Sequence, residues 1–110
     1  MNYYERVQRA IDYIEENLKS ELPLKEVAAR AYMSIANFYR LFYALTGHSI
    51  KDYIRRRRLN CACLELLDRH ARVTDLALEY QFESPEGFSR AFSREFGKTP
   101  TEFRRAGRRI

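Results

Sequence analysis

Two stretches of the chain repeat each other: Ser34–Gly47 reads SIANFYRLFYALTG and Ser84–Gly97 reads SPEGFSRAFSREFG. Each opens on Ser, carries Phe-x-Arg-x-Phe in the middle and closes on Gly at the same spacing. A leading Ser offers a hydroxyl to the free N–H groups of a helix first turn. Phe38 and Phe42, like Phe88 and Phe92, stand four residues apart and share one helix face. Gly47 and Gly97 supply the left-handed residue on which helices commonly end. The spacing therefore predicts two capped helices, over 35–46 and 85–96, each with an aromatic inner face. Leu41 and Leu45, and Ala91 and Phe96, extend these faces, and Pro85 fits the first helical position.

The surroundings of the two copies correspond as well. Leu24, Val27, Ala28 and Ala31 outline a short helix ahead of the first copy; Val73, Leu76, Ala77 and Tyr80 do so ahead of the second. After the copies, Ser49 matches Thr99 and Tyr53 matches Phe103. A short helix, a tight connection and a second, capped helix form the outline of a helix-turn-helix, whose second helix can lie in a major groove.

The remaining segments are helical too. Val7, Ala10, Ile11, Ile14 and Leu18 predict a first helix from about Tyr3 to Lys19, ended before Leu22-Pro23. Ser49, with Asp52 completing a shortened capping box, opens a long helix carrying Ile50, Tyr53, Ile54, Leu64 and Leu67 inward as far as Arg69, about 30 Å at 1.5 Å per residue. RHAR, 69–72, is a polar break, and TEFRRA, 101–106, forms a last short helix behind Pro100. The expected fold is all-α with about seven helices. Its two helix-turn-helix subdomains, 1–48 and 71–110, are joined by a linker helix over 49–70.

Composition narrows the function. The 110 residues suit one small unit, 45% are apolar, and no apolar run approaches the roughly 18 residues of a membrane span. With no signal-like start, a soluble cytoplasmic protein without membrane partners is expected. The formal charge of +5 favours a polyanionic partner. Cys61 and Cys63 point roughly 160° apart on a helix, so they neither bridge each other nor clamp one metal, and reduced thiols are expected. No carboxylate pair, phosphate loop or nucleophile arrangement accompanies His48 or His70, both expected at the surface. No catalytic residue, metal or cofactor is expected.

With the phenylalanines inward, the first copy presents Ile35, Ala36, Tyr39, Arg40 and Tyr43, and the second Pro85, Glu86, Ser89, Arg90 and Ser93. Arg40 and Arg90 stand six residues after their Ser, where an Arg can pair with guanine or a phosphate; the competing reading is a solvated Arg or one bonded to a nearby acid. Glu86 can accept from cytosine N4 or serve as a favourable carboxylate in a helix first turn. Phosphate contacts are expected from Ser34, Tyr43, Ser84, Ser93 and Arg94. They are also expected from the main-chain N–H groups at Ser49-Ile50 and Thr101-Glu102. Arg55 to Arg58 fan around the helix and read mainly as a solvated face with internal ion pairs, one or two phosphate contacts being the alternative. The terminal RRAGRRI adds unspecific attraction or is a disordered tail.

The order LKEVAARAYMSIANFYRLFYALTGHSIKDYIRRRRL followed by DLALEYQFESPEGFSRAFSREFGKTPTEFRR resembles the DNA-binding domain of the AraC/XylS family of bacterial transcription regulators. The resemblance covers nearly the whole chain. It implies two helix-turn-helix units reading adjacent major grooves of double-stranded DNA, usually to activate transcription by recruiting RNA polymerase. By position it assigns base contact to Ala36, Tyr39 and Arg40 in the first unit and to Glu86, Ser89 and Arg90 in the second.

Since the copies differ, an asymmetric bipartite site bound by a monomer, in the nucleoid, is expected. The rival class is a helical protein-interaction module, such as a polymerase-binding adaptor without base readout. The chain departs from the family pattern at Tyr32 and Gln81, where members often place Gly in the turn; left-handed geometry there costs on the order of 1 kcal/mol each. Small Ala36 shifts base discrimination in the first unit towards Tyr39 and Arg40. The family commonly carries a sensing domain. The chain reads either as a small regulator controlled by abundance or as part of a longer protein, and Met1 with the bare RRI ending fits an N-terminal DNA-binding part with more chain downstream.

Overall fold

The computed structural model describes residues 1–68 and 70–107. Seven α-helices and no strand occur among them, in the order α1 (Tyr3–Glu16), α2 (Leu24–Arg30), α3 (Ile35–Thr46), α4 (Ile50–Glu65), α5 (Val73–Glu79), α6 (Pro85–Phe96) and α7 (Pro100–Gly107). They pack as two units, Met1–Arg55 and Arg56–Ile110, with the division falling inside α4.

In the first unit, α1 begins on Asn2, whose side chain accepts from the Glu5 N–H at 2.8 Å. It ends at Glu16, one turn before the expected Lys19, because the Asn17 side-chain amide donates to the Tyr13 carbonyl at 2.8 Å and the backbone leaves helical geometry there. Leu18 remains buried beyond the helix end. Val7, Ala10 and Ile14 from α1, Val27 and Ala28 from α2, and Phe38 and Phe42 from α3 are all 5% exposed or less. Phe42 packs edge-on against Tyr53 of α4, 5.5 Å between centroids at 65°. Leu45, expected in the core, is 40% exposed: it lies in the last turn of α3, whose buried residues are Phe38 and Phe42, one and two turns further in.

The second unit repeats this packing. Leu76 and Ala77 of α5 and Phe88 and Phe92 of α6 are buried, and Phe92 meets Phe103 of α7 edge-on at 5.8 Å and 70°, the counterpart of Phe42 and Tyr53. On this half of α4 the inward residues are Leu59, Ala62 and Leu66, whereas the expected Leu64 and Leu67 are 71% and 53% exposed. Both sets satisfy helical spacing, and packing selects the first. The helix also stops at Glu65, giving about 24 Å for its 16 residues. Past it, Leu67 and Asp68 donate only three residues back, to Leu64 and Glu65, and Arg104 of α7 takes the carbonyls of Leu66 and Ala71. The expected helix end at Arg69 and the tail beyond Gly107 lie outside the described residues.

Of the solvated face with internal ion pairs expected at Arg55 to Arg58, the ion pairs are present and the solvation is partial. Only Arg55 is exposed, and it pairs with Asp52. Arg56 lies 3.9 Å from Glu95 of α6, and Arg57 donates to the Cys61 sulfur. Burial lowers the pKa of the Arg58 guanidinium and pushes up that of the Cys63 thiol, away from a reactive thiolate. Both cysteines are free and half-buried.

Candidate nucleic-acid interface

The interface is built from the connections that aim α3 and α6. At the end of α2, Tyr32 has a φ of 58°, with its N–H donating to the Ala29 carbonyl and the Met33 N–H reaching back to Ala28 at 3.1 Å. At the end of α5, Gln81 has a φ of 66°, its N–H donates to Leu78, and the Phe82 N–H reaches back to Ala77 at 2.9 Å. Both are Schellman closures, which need one left-handed residue and are usually built with glycine. Tyr32 and Gln81, the two departures from the family pattern, thus adopt left-handed geometry with a side chain attached. The second connection carries one extra residue, Glu83, before its serine.

Ser34 then accepts from the Asn37 N–H at 3.2 Å and Ser84 from the Gly87 N–H at 3.0 Å, which fixes the first turns of α3 and α6. Gly47 and Gly97 close them with φ values of 76° and 74°. Each helix is therefore held at both ends and along a phenylalanine face, which leaves its opposite face outside the core.

On α3 that face carries Ile35, Ala36, Tyr39, Arg40 and Tyr43, all exposed. Arg40 donates to Oδ1 of Asn37 at 2.7 Å, so it is oriented along the helix surface by a neutral neighbour. On α6, Glu86 and Arg90 are exposed while Pro85, Ser89 and Ser93 are half-buried. The two faces differ in chemistry: the first is aromatic and aliphatic around one cation, the second polar around one cation.

The expected phosphate-contacting residues divide by role. Tyr43, Arg94 and Thr101 are exposed. Ser34 and Ser84 are engaged as caps, as is half-buried Ser49, which accepts from the Asp52 N–H at 3.1 Å. The Ile50 side chain is 1% exposed and belongs to the core, so its main-chain N–H is the group it can offer an anion. Thr101 follows a capping box in which Thr99 Oγ1 accepts from the Glu102 N–H at 3.1 Å and Glu102 accepts from the Thr99 N–H at 3.0 Å. That bond holds the Glu102 carboxyl below the usual carboxylate range, with Lys98 and Arg105 adding to the shift.

Sequence reasoning missed Asn37 as the partner of Arg40. It also missed Arg6 and Arg9 of α1, which gather around Tyr32. A three-residue step along a helix is a findable signal for the first; no local pattern announces the second, since the partners lie more than twenty positions apart in the sequence.

Among the described residues no helix is long and apolar enough to cross a membrane, and no group of three or more His, Cys, Asp or Glu could hold a metal. Residues 27–106 match a family model described as a helix-turn-helix domain. The chain is 33% identical over 104 residues to the regulatory protein SoxS of Escherichia coli (strain K12), covering 94% of this chain and 97% of that protein. It is 39% identical over 94 residues to the right origin-binding protein of the same strain, covering 86% of this chain but 32% of that protein, so it spans about a third of that relative.

Among solved structures it is similar to a transcriptional regulator (AraC-type DNA-binding domain-containing proteins) from Chromobacterium violaceum. That match has a TM-score of 0.88 and 25% identity, and covers 94% of this chain and 93% of that one. It is also similar to the DNA-binding domain of AdpA, a global transcriptional factor, solved with a target DNA, with a TM-score of 0.83, 28% identity and 94% of each chain covered. The family match over most of the chain, the near full-length likeness to SoxS and the shared fold lead to one conclusion: the chain belongs to the AraC/XylS-type helix-turn-helix family of transcription regulators.

Proposed function

We propose that the protein regulates transcription by binding double-stranded DNA at an asymmetric bipartite site, α3 reading one major groove and α6 the adjacent one. The observation that carries this reading is the recurrence of one exposed Arg, Arg40 and Arg90, at the same step after a serine cap on two helices whose inner faces are otherwise locked. Packing does not require either Arg; a groove edge does. In this assignment Arg40, with Ala36 and Tyr39, contacts bases in one box, and Arg90, with Glu86 and Ser89, in the other. Tyr43, Arg94 and Ser93, the caps Ser34 and Ser84, and the helix starts at Ser49-Ile50 and Thr101 position the duplex through its phosphates.

The likeness to a domain solved with its target DNA supports the reading. The organisation that goes with it is two subdomains, 1–48 and 71–110, with the linker over 49–70. As a whole, the protein acts as an activator that contacts RNA polymerase, binds its site as a monomer and resides at the nucleoid.

Salt dependence tests the proposal. Binding to a preferred duplex should weaken linearly on a log-log plot, with a slope of about −0.9 for each phosphate contact, and Arg40→Ala should relax base preference at one position of one box while leaving most of that slope. A slope near zero would favour a protein-interaction module instead.

A further inference from the structure

Strain in the first turn points to a part of the molecule outside the groove-facing helices. Tyr32 sits in the left-handed region that favours glycine, with only Met33 between it and Ser34, the cap of α3. Whatever holds this corner fixes the direction in which α3 leaves it. Three contacts from α1 converge there. Arg9 Nε donates to the Arg30 carbonyl at 3.3 Å, an Arg6 guanidinium nitrogen donates to the Tyr32 carbonyl at 3.3 Å, and the Arg9 guanidinium lies 5.3 Å from the centre of the Tyr32 ring. Arg6 and Arg9 are three residues apart and so share a face of α1. Both carbonyls belong to the last turn and corner of α2, where a cation also complements the negative end of the helix.

We infer that Arg9, assisted by Arg6, is a positioning residue for DNA recognition: it holds the left-handed Tyr32 corner from α1 and thereby sets the angle of α3. The side chain at position 32 serves as the handle that a glycine would lack. This assignment rests on the DNA-binding reading above. It differs from a phosphate contact, the usual role of a basic residue near a groove-reading helix, because both cations are directed at main-chain oxygens and an aromatic ring of the protein.

The test uses the full chain, a selected specific duplex and an unrelated duplex, with affinities measured across a range of salt. Arg9→Ala should weaken specific binding about two- to fivefold, the affinity equivalent of one exposed cation–π contact. Addition of Arg6→Ala should deepen the loss. The salt slope and the affinity for unrelated duplex should stay as they are. In a Tyr32→Gly background, Arg9→Ala should lose most of its effect, because glycine holds the corner without the ring contact. Hydrogen exchange at the Met33 amide, which closes the corner on Ala28, should accelerate in Arg9→Ala and not in Arg9→Ala with Tyr32→Gly.

A slope reduced by about one contact in both backgrounds would assign Arg9 to a phosphate and overturn the inference. Unchanged specific affinity, even with a lowered melting temperature, would make Arg9 merely structural and overturn it as well. A chain that prefers no duplex at all defeats the DNA-binding reading and the inference together; a chain with a preferred site and a silent Arg9→Ala defeats only the inference.

Discussion

Arg40 donates to Oδ1 of Asn37 at 2.7 Å, one turn back along α3, so the guanidinium of the exposed face is oriented before any duplex arrives. Substitution of Arg40 by Ala is expected to cost about 1–3 kcal/mol of specific binding and to relax base preference at one position. Asn37→Ala should cost less, because the cation remains. Titration of a duplex series with single base changes distinguishes the two, and equal affinity of Arg40→Ala for the preferred duplex would remove Arg40 from the reading face.

The matched ring pairs, Phe42 with Tyr53 and Phe92 with Phe103, pack α3 against α4 and α6 against α7. Phe42 and Phe92 are fully buried, and truncation of either to Ala should destabilise the protein by about 3–5 kcal/mol. Denaturant midpoints measure this, and a loss below about 1 kcal/mol would contradict the packing described for that unit.

Ser34 and Ser84 each satisfy a first-turn N–H, so Ser34→Ala and Ser84→Ala should each cost about 1 kcal/mol, a melting-temperature loss of roughly 2–8 °C for a domain of this size. Replacement by Asp, which also caps, should restore most of it.

Glu102 gives a pH signature. Its bond from the Thr99 N–H depresses its pKa in the folded chain, so its contribution is present above the unfolded carboxylate pKa. It is lost as pH falls through that value towards the depressed one. Thermal melts on acidification should show a shallower stability loss for Glu102→Gln than for the unaltered protein, and identical pH profiles would contradict the capping box.

The left-handed φ of 58° at Tyr32 predicts that Tyr32→Gly raises the melting temperature by a few degrees, relief of strain outweighing the entropy of glycine. The gain should be larger in an Arg9→Ala background, where no ring contact is forfeited. A lowered melting temperature in both backgrounds would contradict the strain argument.

Much of the fold was legible because local rules and packing agreed. The serines, the closing glycines and the four-residue phenylalanine steps each specify one turn of helix, and their repetition made the helix-turn-helix outline readable. The left-handed corners were located by resemblance, at Tyr32 and Gln81, and both have positive φ.

What was not legible lies where two faces of one helix satisfy the same spacing. On α4, Leu64 and Leu67 compete with Leu59, Ala62 and Leu66, and the choice is made by packing against the helices of the second unit, which the spacing along α4 does not contain. The end of α1 depended on one side-chain amide, that of Asn17, and Leu45 keeps core spacing in the last turn of α3 yet is exposed. Of the candidate interface, the exposed positions of α3 followed from the phenylalanine face, whereas the contacts of Arg6 and Arg9 join segments that nothing in the local sequence connects.

Whether both copies read DNA is decided by selecting binding sites from a randomised duplex pool with the purified chain at near-physiological salt. Two unlike short boxes about one helical turn apart should be enriched, one weakened with Arg40→Ala and the other with Arg90→Ala. A folded protein that enriches no sequence, or two boxes that neither substitution weakens, would contradict reading by both copies.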